Sequence, residues 1–218
     1  MRASNREDIT SVVASLTAEF PALEEERLSR YLVDIVEWND RAGLVSKQTT
    51  AAAIENLVRH SAQLLDFISR YGILSRAPEL PAVVDIGSGA GFPGIIWKLL
   101  EPDLTVTLVE RNSKKATFLE RAAVVLKLEG LEVVEADAVE AAFYDRFHSQ
   151  FGVAVSFAVG APAEVAPKVV GFLNDTGCYC TLRPHKDKRP QTIGKTLTLV
   201  ATEERDYGRF CLYRKSIA

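Results

Sequence analysis

The chain has 218 residues, with 26 Lys and Arg against 29 Asp and Glu and a formal net charge of −3. Its composition, 47% hydrophobic and 25% charged, gives enough apolar mass for a sizeable core and excludes a collagen-like or disordered chain. No apolar run approaches the roughly 18–20 residues needed to cross a bilayer, and Met1 to Asp8 runs into charged sequence without a signal-peptide core. At roughly 150 residues per domain, the length predicts one domain with an extension, in a soluble, cytoplasmic protein.

Residues 1–80 read as a helical extension packed on the core. Ile9, Val12, Val13, Leu16 and Phe20 recur at helical spacing, and so do Leu28, Tyr31, Leu32 and Ile35. Glu24, Glu25 and Glu26 fall in the first turn of that second helix, where the helix dipole favours anions, and Gly43 marks its end. Ile54, Leu57, Val58, Leu65 and Ile68 describe a third helix ending near Gly72, after which Pro78 and Pro81 punctuate the chain.

From Ala82 the period changes. The apolar runs Ala82–Ile86, Thr105–Glu110, Leu131–Ala136, Val153–Ser156 and Cys178–Leu182 alternate with amphipathic stretches, one carrying Ile95 to Leu100 and another starting at Ser113. Thr196–Ala201 and Phe210–Tyr213 read as a closing antiparallel pair. Strands alternating with helices predict an α/β fold over residues 81–218: a doubly wound, seven-stranded, mostly parallel sheet.

The run Asp85-Ile86-Gly87-Ser88-Gly89-Ala90-Gly91-Phe92-Pro93-Gly94 follows the first strand and opens a helix, the context of a nucleotide-binding loop. No Gly-Lys-Ser/Thr follows, which excludes a triphosphate P-loop. Two glycine registers compete. Gly89-x-Gly91-x-x-Gly94 formally satisfies the dinucleotide fingerprint, whereas Gly87-x-Gly89-x-Gly91 preceded by Asp85 is the pattern of S-adenosylmethionine enzymes. A dinucleotide turn needs its first glycine at the strand end; Gly89 comes late, while Gly87 is correctly placed. An acid beside the loop repels pyrophosphate and suits an ammonium and a sulfonium. Glu110, ending the second strand, stands near the spacing at which an acid reaches a ribose.

Cys178, Cys180 and Cys211 are too few for a disulfide framework. With His60, His148 and His185 they form no metal-ligand spacing, so they read as small buried hydrophobes and no metal is expected. Residues 183–218 carry nine Lys and Arg against four acids, leaving the rest of the chain acidic. This is either a local phosphate-binding surface or a solvated C-terminal hairpin.

With those residues in hand, the chain resembles the RsmG (GidB, glucose-inhibited division protein B) family of small-subunit ribosomal RNA guanine 7-methyltransferases. The resemblance is strongest over Val84 to Ile95, where Phe92-Pro93-Gly94 directly follows the glycines. It continues over Thr107 to Glu110 and Lys114 to Leu119, with Trp38-Asn39 and His60 in the expected order. It implies a class I methyltransferase, Rossmann-like fold that moves a methyl from S-adenosylmethionine to guanine nitrogen 7. The implied cofactor site is Gly87, Ser88, Gly89, Gly91 and Phe92, with Glu110 on the ribose hydroxyls and Asp137, Ala138 and Val139 beside the adenine. The implied partner is small-subunit ribosomal RNA or its ribonucleoprotein particle, met by a monomer and not by a membrane protein.

The chain departs from the family in four places. Ser156-Phe157-Ala158 stands where the family has Ser-Arg-Ala, Ala138-Val139 where it has Ala-Glu, Arg183-Pro184 where it has Lys-Gly, and Gln63 where it has Asp. Cofactor binding weaker than in a typical member is the expectation.

A guanine ring nitrogen of this type already holds an exposed lone pair and needs no general base, so no catalytic residue is named; proximity is the protein's main contribution. Arg183, Lys186, Lys188 and Arg189, held out by Pro184 and Pro190 at the strand ends, are the expected RNA contacts. Phe157 either stacks on a base or packs beneath the cofactor. His60 is either a satisfied helical residue or part of the site. Two other readings remain: a non-catalytic relative that binds the cofactor or the ribosomal particle as a regulatory module, and a dinucleotide-dependent oxidoreductase.

Overall fold

A computed structural model describes residues 3–46, 50–74, 80–138, 147–157, 169–186, 190–193 and 196–216. Three helices come first: α1 (Ala3–Glu19), α2 (Glu25–Ala42) and α3 (Ala51–Arg70). Helix α2 ends where Gly43 enters the left-handed region (φ 60°, ψ 46°) and returns its N–H to the Asn39 carbonyl. Helix α3 starts at Thr50, whose hydroxyl accepts the Ala53 N–H. The apolar stripes expected from the spacing are the buried ones: Leu28, Tyr31, Leu32 and Ile35 on α2, and Ile54, Val58, Leu65 and Ile68 on α3.

Next come β1 (Val83–Ile86), α4 (Gly94–Leu100), β2 (Val106–Glu110), α5 (Ser113–Val125), β3 (Leu131–Glu135), β4 (Phe151–Phe157), β5 (Leu173–Arg183), β6 (Thr192–Ile193), β7 (Leu197–Arg205) and β8 (Gly208–Lys215). One sheet runs in the order β3-β2-β1-β4-β5-β8-β7-β6. The first five strands pair in parallel, and β8, β7 and β6 join antiparallel. The α/β class and the mostly parallel sheet agree with the sequence reading. The strand count does not: the sheet has eight strands among the described residues, because Thr192–Ile193 adds a two-residue edge strand to β7. Two residues are too short to show any period.

Both faces of the sheet are covered, so the central strands are buried throughout; β1 and β2 have no exposed position. Alternate residues serve the two sides. Val83, Val106, Leu108, Val153, Val155, Cys178 and Cys180 join one cluster with the apolar faces of α1 to α5. Val84, Val109, Ala154, Tyr179 and Cys211 join the other, with Phe147, Phe151 and Phe172. All three cysteines are buried and free, as small hydrophobes.

The N-terminal helices share the first cluster with the sheet. Trp97 of α4 is fully buried, and its indole N–H donates to the Ser61 carbonyl of α3 at 2.8 Å. Arg27 of α2 donates to the Leu126 carbonyl at 2.6 Å, clamping the end of α5. Trp97→Ala is expected to cost about 3–5 kcal/mol, as for other large aromatic deletions in a core. Denaturant unfolding checks it. Because Trp97 joins helices and sheet, far-UV circular dichroism and the fluorescence of Trp38 are expected to change together in that variant.

Candidate functional site

The glycine loop leaves the C-terminal end of β1, which lies between β2 and β4. The strand order reverses at this point, which makes it the topological switch point where open α/β sheets take ligands. β1 ends at Ile86, so Gly87 is the first residue past the strand. The register beginning at Gly87 is therefore the one seated at the strand end, and the dinucleotide register starting at Gly89 begins too late.

The loop is held from below and from both sides. Gly87 and Ser88 donate their N–H groups to the Val109 carbonyl at 2.8 and 3.1 Å. Asp85 is fully buried and accepts the Gly94 N–H on Oδ2 at 3.0 Å. A Cβ at Gly94 would stand 2.8 Å from that carboxylate oxygen and closer still to the Leu108 side chain, so only glycine lets α4 begin here. Glu110, 7% exposed, accepts the Gly89 N–H on Oε2 at 2.9 Å and the Asn112 N–H on Oε1 at 2.8 Å. Each of its oxygens keeps a further lone pair.

Tyr31 reaches in from α2. Its hydroxyl donates to the Ala90 carbonyl at 2.7 Å, and its ring lies 5.7 Å from that of Phe92. Gly91 has φ +100° and would bring a Cβ within 2.9 Å of the Tyr31 oxygen. Asp85 is the more deeply buried of the two acids beside the loop. Burial pushes Asp85 up to about 8, outweighing the Gly94 amide and the Ser88 hydroxyl, and the charge of Glu110 adds to the rise. Burial, and then Asp85, push Tyr31 well above the ordinary phenol value.

The other expected site residues divide. Asp137, in the loop after β3, faces Arg111 at 3.7 Å. Ala138 packs against the second core cluster, and Val139 lies outside the described residues. Phe157 ends β4, half-buried against the first cluster. The expectation that Arg183 presents its charge from a loop is not met. It is the last residue of β5, paired in register with Arg209 and 8% exposed, because β5 extends past Leu182 against β8. Lys186 is exposed in the following turn, while Lys188 and Arg189 lie outside the described residues.

His60 is brought to the same edge of the sheet. It stacks on Tyr207, in the turn between β7 and β8, with ring centroids 3.4 Å apart and planes at 23°. The Tyr207 hydroxyl donates to Gln63 at 2.6 Å. Sequence reasoning missed Tyr31, Tyr207 and Asn112. Only Asn112 had a local signal: it caps α5 by accepting the Lys114 and Lys115 amides, the ordinary role of Asn before a helix. A cavity of about 770 Å³ bordered by Pro81, Gly152 and Arg214 lies at the other end of the strands, away from the glycine loop. No group of three metal-ligating side chains occurs among the described residues.

Burial, and then the charge of Arg59, lower His60 from 6.5 to about 4. The unfolded chain therefore takes up a proton at His60 before the folded one does. Stability from the neutral stack is complete above about pH 6.5 and falls as pH drops from there towards about pH 4. Proton NMR should find the His60 imidazole titrating near the lower value. His60→Phe keeps an aromatic ring on Tyr207 and should remove that part of the acid-side loss in melting temperature.

Comparison with known proteins agrees with this geometry. The family described as GidB, rRNA small subunit methyltransferase G, matches residues 24–207. The ribosomal RNA small subunit methyltransferase G of Halorhodospira halophila is 34% identical over 181 residues, covering 82% of this chain and 78% of that protein. The protein of the same name from Caldanaerobacter subterraneus subsp. tengcongensis is 30% identical over 183 residues, covering 84% and 74%. Among solved structures, the putative methyltransferase yhhF of Escherichia coli superposes with a TM-score of 0.59 at 17% identity, over 73% of this chain and 88% of that one. The M. jannaschii TYW2 structure, solved in complex with AdoMet, gives 0.52 at 17% identity, over 69% and 76%. At such identities the structural likeness shows the fold, while the sequence matches show the family: the chain belongs to GidB, the rRNA small subunit methyltransferase G family.

Proposed function

We propose that the protein transfers a methyl group from S-adenosylmethionine to ring nitrogen 7 of a guanine in small-subunit ribosomal RNA. In this reading residues 81–218 are the methyltransferase domain and residues 1–80 the helical extension that buttresses its cofactor loop. The observation that carries it is the glycine loop at the switch point, clamped between Asp85 and Glu110, in a chain of this family.

The residues present fit the cofactor. Asp85 Oδ1 is buried with no hydrogen-bond partner among the described residues, beneath a loop without side chains at Gly87, Gly89 and Gly91. Glu110 has lone pairs left for two ribose hydroxyls, and Asp137 and Ala138 follow the neighbouring strand, on the adenine side. S-adenosylmethionine supplies an activated methyl group on a sulfonium; the protein supplies orientation and electrostatics. The guanine nitrogen attacks with its own lone pair, so the chain's task is to hold nucleophile and methyl in line, and no proton has to be moved by a side chain for the transfer. Lys186, exposed past β5, is on hand for the RNA backbone. His60, held neutral against Tyr207, shapes the same edge without adding charge.

Calorimetric titration with S-adenosylmethionine, and methylation of small-subunit particles with labelled cofactor followed by mapping of the base, test this reading. Glu110→Ala should weaken cofactor binding by about 1.5–3 kcal/mol, the value of hydrogen bonds to a charged group. Unchanged affinity would put the cofactor elsewhere, and a cofactor complex that methylates no ribosomal RNA would refute the substrate.

A further inference from the structure

Asp85 is an acid with no counter-cation among the described residues. It is fully buried, one carboxylate oxygen receives a single amide, and the other receives nothing among the described residues. Among the described residues, the groups that face it offer no positive charge. Glu110 of β2 is a second acid, and its charge acts directly on Asp85. Tyr31 of α2 and Cys180 of β5 are buried groups whose own ionisation Asp85 opposes. Gly94 of α4 gives the carboxyl a neutral amide donor, and the nearby Ser88 hydroxyl of the loop, also neutral, donates to the Asp85 main-chain carbonyl at 2.9 Å. A lone carboxylate in such a place is costly, and a buried acid neutralises itself by keeping its proton. The raised value of about 8 agrees with that expectation.

A charged ligand changes the balance. An ammonium or sulfonium placed on the loop supplies the positive charge that the protein withholds. We propose that Asp85 is the charge-selecting residue of the cofactor site: it holds a proton in the ligand-free protein and releases it when a cationic cofactor occupies the glycine loop. The step is an acid dissociation. The carboxyl O–H bond breaks, the electron pair stays on the carboxylate, and the proton passes to the buffer. This inference rests on the S-adenosylmethionine reading and adds to it a reason why the acid is buried without a partner. A carboxylate formed only in the presence of a cation favours cationic ligands over neutral ones of the same shape.

The ligand-free acid keeps its proton up to about pH 8, and the bound state loses it at lower pH. Affinity for S-adenosylmethionine therefore rises with pH below about 8, by up to tenfold per pH unit, and levels off above.

Titration calorimetry of the full chain at neutral pH, in two buffers of different ionisation enthalpy, counts the protons released. Wild type should release between about half and one proton per S-adenosylmethionine bound. Asp85→Asn keeps an oxygen for the Gly94 amide and should release less by that amount, which separates Asp85 from the cofactor's own amino group. Methylthioadenosine, a neutral ligand without the amino-acid end, should release none from wild type, and Asp85→Asn should narrow the preference for S-adenosylmethionine over it. If the variant does not fold, infrared spectroscopy of wild type gives the same answer: the band of a protonated carboxyl should vanish on adding S-adenosylmethionine. Tight binding with a buffer-independent enthalpy, equal in wild type and Asp85→Asn, overturns the proposal and leaves the cofactor reading standing. Absence of any binding overturns both.

Discussion

The glycine loop turns through the left-handed Gly87, Gly89 and Gly91; backbone carbonyls take the amides of Gly87, Ser88 and Gly91, and two acidic side chains take the two others on which the turn into α4 depends. Asp85 takes the amide of Gly94 and Glu110 that of Gly89. Each acid stands at or near the C-terminal end of a central parallel strand, so the register between β1 and β2 sets the separation of the two clamps. The arrangement leaves the loop without side chains at Gly87, Gly89 and Gly91 and places two acids beside it. The bare glycines let a ligand approach the backbone, and the acids suit a cationic ligand with a sugar and not a pyrophosphate. Position and preference thus have one cause.

The N-terminal helices belong to this site as much as the sheet does. Tyr31 of α2 caps the Ala90 carbonyl, which the turn would otherwise leave buried and unpaired at a cost of about 1–3 kcal/mol. His60 and Gln63 of α3 hold the turn that carries Tyr207. Arg121 of α5 meets both oxygens of Asp34 on α2 at 3.2 Å, beside the ring of Trp38. Helices that only covered an apolar face would make none of these polar contacts.

Among the described residues, part of the positive charge of the C-terminal segment is paired locally. Glu203 pairs with Arg70 and Arg205, and Glu204 with Arg209 and His185. Exposed pairs of this kind contribute little to stability. They do lower the net charge that the β7–β8 hairpin presents to RNA. Of the basic residues expected to form an RNA surface, Lys186 is the one exposed among the described residues, whereas Arg183 is drawn into β5.

What could be read from the chain was whatever depends on neighbours in sequence. The 3.6-residue stripes of α2 and α3, the stop at Gly43, the change of period at Ala82 and the glycine run after β1 are all local patterns, and each appears where expected. The family resemblance belongs to the same class, since its motifs are contiguous. Tertiary structure decided what depends on distant partners. Tyr31 finds Ala90 across 59 positions and Tyr207 finds Gln63 across 144; no periodicity encodes such meetings. Whether Asp85 carries a charge is likewise not a property of the run Val84-Asp85-Ile86. It follows from complete burial beside Glu110, Tyr31 and Cys180, with no cation among them. Sequence placed an acid next to a glycine loop, and only the packing of β2, β5 and α2 around it determined that the acid keeps its proton.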